Sequence, residues 1–350
     1  MEPFKKPLLS VIVPIFNGEG YLDGLIAGIA AQQFPDMELI LVDDGSSDGT
    51  LQKCKTLQEQ HTWIKVVHTD NRGVSHARNT GLKLAQGQWI HFVDADDRIR
   101  EGMYYRFLEN AEVDHSDVII CGCRRVNMES GEDTDCGPET TKYLNEEEVL
   151  ELFDQMDMNR RYWLLDYIWN KWYRKELIDK YHLFFEESLS LGEDFVFNAG
   201  YFQHVTGISM ISDVYYMYLI RKSGLVSSFH ENPWEIRETL YDAQRELYQA
   251  LGLFSSNEKN LQRQAGRIAF GDIRTINSPR CRYKRKQKIK FVQQMIESPQ
   301  YVWILQYLNA GSEDSLKFKL YYQIFLTGHA ALIASAIQME KLLCRISGKK

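Results

Sequence analysis

The first 125 residues alternate between short apolar runs and amphipathic stretches. Leu8 to Pro14, Met37 to Asp43, Ile64 to Thr69 and Gln88 to Val93 are dominated by Val, Ile and Leu, as buried strands are. Between them, Tyr21 to Gln33, Thr50 to Gln60 and Val74 to Ala85 repeat apolar residues at helical spacing, and the last of these stops at Gly87. Such alternation predicts an α/β fold with a doubly wound, mostly parallel sheet. Val118 to Cys123 predicts another strand, whose alternating faces account for Cys121 and Cys123 better than a metal site does. Asn127 to Pro138 is polar and reads as a surface loop ahead of an acidic helix, Asn145 to Met156. From Trp234 onward the pattern is helical, over Ile236 to Leu251, Lys259 to Ile276, Lys284 to Glu297 and Lys317 to Lys341. The expected organisation is an α/β domain over residues 1–232, with halves 1–125 and 126–232, followed by a mostly helical region, 233–350.

In a doubly wound sheet, ligands bind beyond the carboxyl ends of the strands. Pro14-Ile15-Phe16-Asn17, Asp43-Asp44-Gly45-Ser46 and Asp94-Ala95-Asp96-Asp97 all fall there. Carboxylates at the tip of an apolar strand need a cation or a hydrogen-bonding ligand, because unpaired buried charge is too costly. Mg²⁺ or Mn²⁺ held by one or two carboxylates and completed by water and phosphate oxygens suits Asp94 and Asp96. Asp48 reads as the N-cap of the second helix, whereas a carboxylate of the Asp43-Asp44 pair can accept from a base N–H or a ribose hydroxyl. Arg78 lies in the first turns of a helix, where the dipole disfavours a cation, so it is expected to face an anion. Glu193 and Asp194 precede a helix whose Phe195, Val196, Ala199 and Phe202 can face the core. They read either as chemistry or as ordinary N-terminal helix charges.

With 350 residues, 44% hydrophobic and 25% charged, the chain has an ordinary globular composition. A net charge of −7 argues against nucleic acid as a partner. Arg280, Arg282, Lys284, Arg285, Lys286, Lys288 and Lys290 nevertheless form a basic island, so an anionic partner is expected for the C-terminal part alone. Six cysteines without a regular framework, and no apolar leader, point to the cytoplasm and reduced thiols. Leu320 to Met339 is apolar but broken by Gln323, Gly328, His329 and Gln338, which suits an interfacial or a core helix rather than a spanning one.

Four stretches together resemble the family 2 glycosyltransferases, enzymes of the GT-A fold. They are Ser10 to Asn17 (SVIVPIFN), Leu41 to Thr50 (LVDDGSSDGT), Asn71 to Gly81 (NRGVSHARNTG) and Phe92 to Asp97 (FVDADD). The resemblance implies a GT-A domain over 1–232, with a Rossmann-like nucleotide-binding half and then an acceptor and catalytic half. It implies that Pro14, Phe16 and Asn17 line the donor pocket, that Asp44 meets a pyrimidine base, and that Arg78 lies near ribose or phosphates. Asp94 would meet the ribose or sugar, and Asp96 the metal. Leu189 to Asn198 is similar to the family's Glu-Asp segment, which implies Asp194 as general base beside Glu193. Trp169-Asn170-Lys171-Trp172-Tyr173 is similar to a segment between the donor and acceptor regions. Its aromatics favour packing over sugar stacking, and Lys171 fits packing less readily. Tyr218, Arg221, Lys222, Ser223 and His230 stand where related enzymes close over the diphosphate, with His230 a candidate metal ligand.

The expected activity is inverting, metal-assisted hexosyl or N-acetylhexosaminyl transfer in polysaccharide biosynthesis. The donor would be a nucleoside-diphosphate sugar, taken as a UDP-sugar, and the acceptor a hydroxyl of a glycan or lipid-linked oligosaccharide. The expected location is cytoplasmic, peripheral on the inner face of the plasma membrane through the basic, apolar C-terminus. A non-catalytic nucleotide-binding module is disfavoured by the intact Asp94, Asp96 and Asp194. A nucleotidyltransferase is disfavoured because Ile15-Phe16-Asn17-Gly18-Glu19 is no basic Gly-rich loop.

Overall fold

The computed structural model describes residues 6–156, 163–221, 233–277, 281–307 and 323–346. Two compact units divide the chain, Met1–Gly224 and Leu225–Lys350. In the first, β1 (Leu9–Ile15), β2 (Met37–Asp44), β3 (Ile64–Thr69) and β4 (Trp89–Phe92) are parallel, in the order β3-β2-β1-β4. Helices α1 (Leu22–Ala30), α2 (Thr50–Gln60) and α3 (Val74–Leu84) are the crossovers. Leu9, Val11, Ile12 and Val13, like Leu39 to Val42, are wholly buried, because helices cover both faces of a parallel sheet. Since β1 has β2 on one side and β4 on the other, the strand order switches there, and the crevice opens beyond their carboxyl ends.

The rest of this unit comprises β5 (Arg98–Ile99), α4 (Met103–Asp114), β6 (Val118–Asn127), β7 (Asp133–Cys136), β8 (Lys142–Leu144), α5 (Glu146–Asp154), β9 (Lys171–Arg174), α6 (Lys175–Lys180), α7 (Glu193–Phe202) and β10 (Ile208–Ile220). The sheet continues from β4 through β9, β6 and β10 to β5, with β7 added on β6 and β8 on β10. β9 runs antiparallel between β4 and β6 and so joins the two halves. Its Trp172 is fully buried among Phe34, Trp89, Tyr104 and Phe107, with ring centroids 5.2–6.3 Å away.

Several expectations need correction. Val118 to Cys123 does not alternate: all six residues are buried, because β6 lies inside the sheet between β9 and β10. The polar stretch after it is not all loop, since Asp133–Cys136 forms a strand on β6. That strand is invisible to an apolar pattern because Asp135 and Arg124 pair in a two-pronged ion pair, at 2.6 and 2.8 Å, on an exposed edge. Across the same pair of strands the Cys123 and Cys136 Sγ atoms are 2.8 Å apart. Gly49 occupies the N-cap position of α2, and Asp48 accepts from Thr50 N at 3.0 Å from one residue earlier.

The second unit packs α8 (Pro233–Ala250), α9 (Phe254–Arg274), α10 (Arg285–Ile296), α11 (Pro299–Tyr307) and α12 (Ala330–Ile346) around Ile273, Phe291, Met295, Phe325, Ile333 and Ile337. One helix from 317 to 341 is not what forms. Residues 323–326 are helical, the chain turns at Gly328 with φ +62°, and α12 starts afresh, while 317–322 lie outside the described residues. Among the described residues, no helix is long and apolar enough to cross a membrane.

Gly87, between α3 and β4, sets how closely the start of β4 lies against the start of β1. A Cβ there would stand 2.5 Å from Ser10 N and 2.7 Å from Leu9 C, both backbone atoms that cannot rotate away. Gly87→Ala should therefore destabilise the fold by about 1–3 kcal/mol, read from chemical denaturation.

Candidate active site

The loops after β1 and β2 are tied together before any ligand arrives. Asn17, at φ +49°, accepts from Ser47 N at 2.8 Å through its side chain and donates its own N–H to Ser46 Oγ at 2.9 Å. Phe16 stands beside it, 53% exposed at the rim of the crevice, and Pro14 is half-buried below. Asp44 is almost wholly buried and accepts from Arg72 N at 3.0 Å, Gly73 N at 2.8 Å and Thr69 Oγ1 at 3.3 Å. Gly73, at φ +98°, is the N-cap of α3, a backbone conformation that a side chain would strain. Asp43 lies behind, 2.6 Å from His68 Nδ1.

α3 then reaches across to the second half of the unit. Asn79 donates to Phe185 O at 2.9 Å and accepts from Phe185 N at 2.8 Å, while Arg72 and His76 meet Glu187 at 3.0 and 3.1 Å. This anchors the segment that leads into α7, whose N-cap Gly192 has φ +84° and presents Glu193 and Asp194 in the first turn.

Arg78 is the hub. Its guanidinium is 3.0 Å from Glu193 Oε1, 2.8 Å from Asp194 Oδ1 and 3.1 Å from Asp94 Oδ1, and it lies 5.2 Å from the centroid of the Phe185 ring. The anion expected for Arg78 thus consists of three of the chain's own carboxylates. Only 3% of the residue is exposed, and the carboxylates hold its pKa above the ordinary arginine value. One guanidinium cannot neutralise three carboxylates. Burial, reinforced by Glu193 and Asp94, raises the Asp194 carboxyl well above the usual carboxylate range in spite of Arg78. The Asp94 carboxyl is raised for the same reason, with Asp96 adding to the effect.

At the tip of β4 the acids divide by environment. Asp97, which the motif alone did not single out, is buried and accepts from Tyr216 Oη and Leu219 N, both at 2.9 Å. Tyr216 Oη also accepts from Asp94 N at 3.2 Å, so β10 fixes the bend of this loop. Asp96 is 41% exposed and pairs with Arg221, which also donates to the Asp96 carbonyl at 2.9 Å. The second carboxylate oxygens of Asp94 and Asp96 make no hydrogen bond among the described residues. No group of three or more His, Cys, Asp or Glu suited to a metal occurs among the described residues. Two hard oxygen donors in a loop still fit Mg²⁺ or Mn²⁺, because such ions take most of their remaining ligands from water and phosphate.

Trp169 faces inward, stacked on Tyr216 and Tyr167 with centroids 4.2 and 4.3 Å away, and its carbonyl meets His91 Nε2 at 2.8 Å. Burial pushes the His91 pKa down to about 4, so this ring is neutral scaffold. Lys171 is also buried. Its Nζ donates to the carbonyls of Trp163 and Tyr167 and to Asn170 Oδ1, and burial lowers its pKa to about 7. Both residues therefore brace the 163–171 segment. Of the closing-loop candidates, Tyr218 stacks near Trp169 at 5.4 Å and Arg221 reaches Asp96, while Lys222, Ser223 and His230 lie outside the described residues.

Residues 10–181, just under half of the chain, match Glycosyl transferase family 2. EpsJ of Bacillus subtilis, described as an uncharacterized glycosyltransferase, is 32% identical over 235 residues, 67% of this chain and 64% of EpsJ. The match therefore spans somewhat less than two thirds of that relative. The poly(ribitol-phosphate) beta-N-acetylglucosaminyltransferase TarS of Staphylococcus aureus is 29% identical over 238 residues, 66% of this chain and 39% of TarS. The crystal structure of TarS 1–349 with UDP shares the fold, with a TM-score of 0.63 and 20% identity, covering 95% of this chain and 91% of that one. The mannosyltransferase PcManGT of Pyrobaculum calidifontis, in complex with GDP-Man and Mn²⁺, aligns with a TM-score of 0.50 and 15% identity over 96% of this chain and 88% of its own.

Replacing Arg78 by Met should leave the three carboxylates unpaired and cost about 3–5 kcal/mol at neutral pH. Carboxyls whose folded pKa lies above the unfolded value destabilise only while ionised, so the deficit should shrink as pH falls through that raised pKa. Denaturation midpoints of Arg78→Met and the parent protein across a pH series measure it.

Proposed function

We propose that the protein is an inverting glycosyltransferase that moves a sugar from a UDP-sugar to a hydroxyl of a glycan or lipid-linked acceptor during polysaccharide assembly. The carrying observation is that Arg78 joins Asp94, beyond a strand of the nucleotide half, to Asp194, on a helix of the second half. The UDP and UDP-GlcNAc complexes of TarS support the choice of nucleotide, and its name supports an N-acetylhexosamine as the transferred sugar.

In this reading Phe16 and Pro14 form the apolar wall for the base, and Asp44 keeps acceptor capacity for a base N–H beyond the three donors it already holds. Asp194 takes the proton of the acceptor hydroxyl as its oxygen attacks the anomeric carbon from the face opposite the diphosphate. A carboxylate with raised proton affinity is suited to that task near neutral pH. Arg78 and Glu193 orient it. Asp96, with Asp94, would hold Mn²⁺ or Mg²⁺, which when bound supplies positive charge to the departing diphosphate. The Mn²⁺ complex of PcManGT supports this assignment.

Incubation with Mn²⁺ and a panel of nucleotide sugars and acceptors tests the proposal. Asp194→Asn should keep UDP affinity and lose about 10²–10⁴-fold in transfer. Asp96→Ala should lose metal-dependent donor binding. Transfer by the parent protein should disappear as pH falls through the raised Asp194 pKa, an acid limb above the ordinary carboxylate range. UDP binding indifferent to EDTA, with no donor ever consumed, would establish a binding module instead.

The proposal extends to an anionic membrane surface as the place where the acceptor is met. Arg282, Lys284, Arg285 and Lys286 are exposed at and before the start of α10, and Leu332 and Met339 are exposed on α12. Reversing those four charges should abolish sedimentation with phosphatidylglycerol vesicles at low salt and leave the weak sedimentation with phosphatidylcholine unchanged. Equal sedimentation of both variants with the anionic vesicles would refute it.

A further inference from the structure

The carboxylates of the crevice outnumber its cations. Asp94, Asp96, Asp97, Glu193 and Asp194 gather there, while Arg78 is already shared among three of them. Asp96 therefore takes its charge partner from elsewhere, Arg221 at the end of β10. This contact is built on more than one side. The guanidinium holds both the Asp96 side chain and the Asp96 carbonyl, and its Cζ lies 4.9 Å from the centroid of the Tyr21 ring, just before α1. Tyr21 belongs to the first βα connection, Asp96 to the loop after β4 and Arg221 to the end of β10, so one side chain spans three edges of the crevice. The strand end is itself pinned, because Asp97 accepts from Leu219 N two residues earlier.

We propose that Arg221 is an internal stand-in for the metal: it neutralises Asp96 while donor is absent and gives up that carboxylate when metal and diphosphate arrive together. This rests on the metal and diphosphate reading above and adds to it a coupling between the two ligands. A cation binding Asp96 alone must displace Arg221 from the carboxylate and leave the guanidinium without an anion. A diphosphate attracting Arg221 alone must strip Asp96 of its counter-charge. When both arrive, Asp96 keeps a cation and Arg221 gains an anion, so each ligand strengthens the other. Arg221 is a positioning residue in this scheme, since it acts by deciding when Asp96 is available.

Titration of Mn²⁺, followed by the electron paramagnetic resonance of the free ion, and titration of UDP by calorimetry, each with and without the other, test the inference on parent protein, Arg221→Ala and Arg221→Lys. Melting temperatures confirm that all three are folded. In Arg221→Ala, Mn²⁺ alone should bind about fivefold tighter, the scale of one partly exposed ion pair. The factor by which Mn²⁺ strengthens UDP binding should fall by a similar amount, and Arg221→Lys should lie between. A parent protein whose UDP affinity depends on Mn²⁺, beside an Arg221→Ala variant with unchanged Mn²⁺ affinity and unchanged coupling, overturns the role of Arg221 alone. A parent protein whose UDP affinity ignores Mn²⁺ overturns the metal reading as well.

Discussion

The arrangement of the crevice depends on one buried guanidinium facing three carboxylates. Arg78 reaches Asp94 sixteen residues ahead and Glu193 and Asp194 more than a hundred residues ahead. Burying such a group is favourable only because its partners are charged and close, and gathering those partners is tolerable only because it is there. Phe185, whose backbone is clamped by the Asn79 amide, lies against the guanidinium.

The cluster nevertheless keeps surplus negative charge, and much of the site's chemistry follows from that surplus. It raises the proton affinity of Asp194 and Asp94, and Asp96 takes its counter-charge from Arg221 instead. Asp97 shows the other way of living with the same field: its carboxylate is buried, accepts two hydrogen bonds from β10, and is raised well above the usual range by burial. Four acids within a short stretch of space thus differ in environment through their partners rather than their chemistry.

Much of the fold was legible because its cause is local. The β1 to β4 runs are mostly apolar, and the helices between them carry clear period and end signals, so their limits agree with the structure to within three residues. Where pairing rather than burial makes a strand, as in the polar Asp133–Cys136, the pattern was silent. The break at Gly328 was equally hidden, since one Gly within an apolar run is compatible with a continuous helix.

The sequence by itself determined which acids exist and that they follow strand and helix starts, because side-chain period and turn chemistry are properties of neighbours along the chain. It also carried the resemblance to Glycosyl transferase family 2, whose motifs are local strings. Only the tertiary structure decided what those acids touch. Arg78 read as a partner for phosphate and proved to face Asp94, Glu193 and Asp194; Lys171 and Trp169 turned into the scaffold; Arg221 met Asp96. The physical reason is that electrostatic energy depends on distance and on the surrounding dielectric, and both are fixed by packing between segments far apart in sequence.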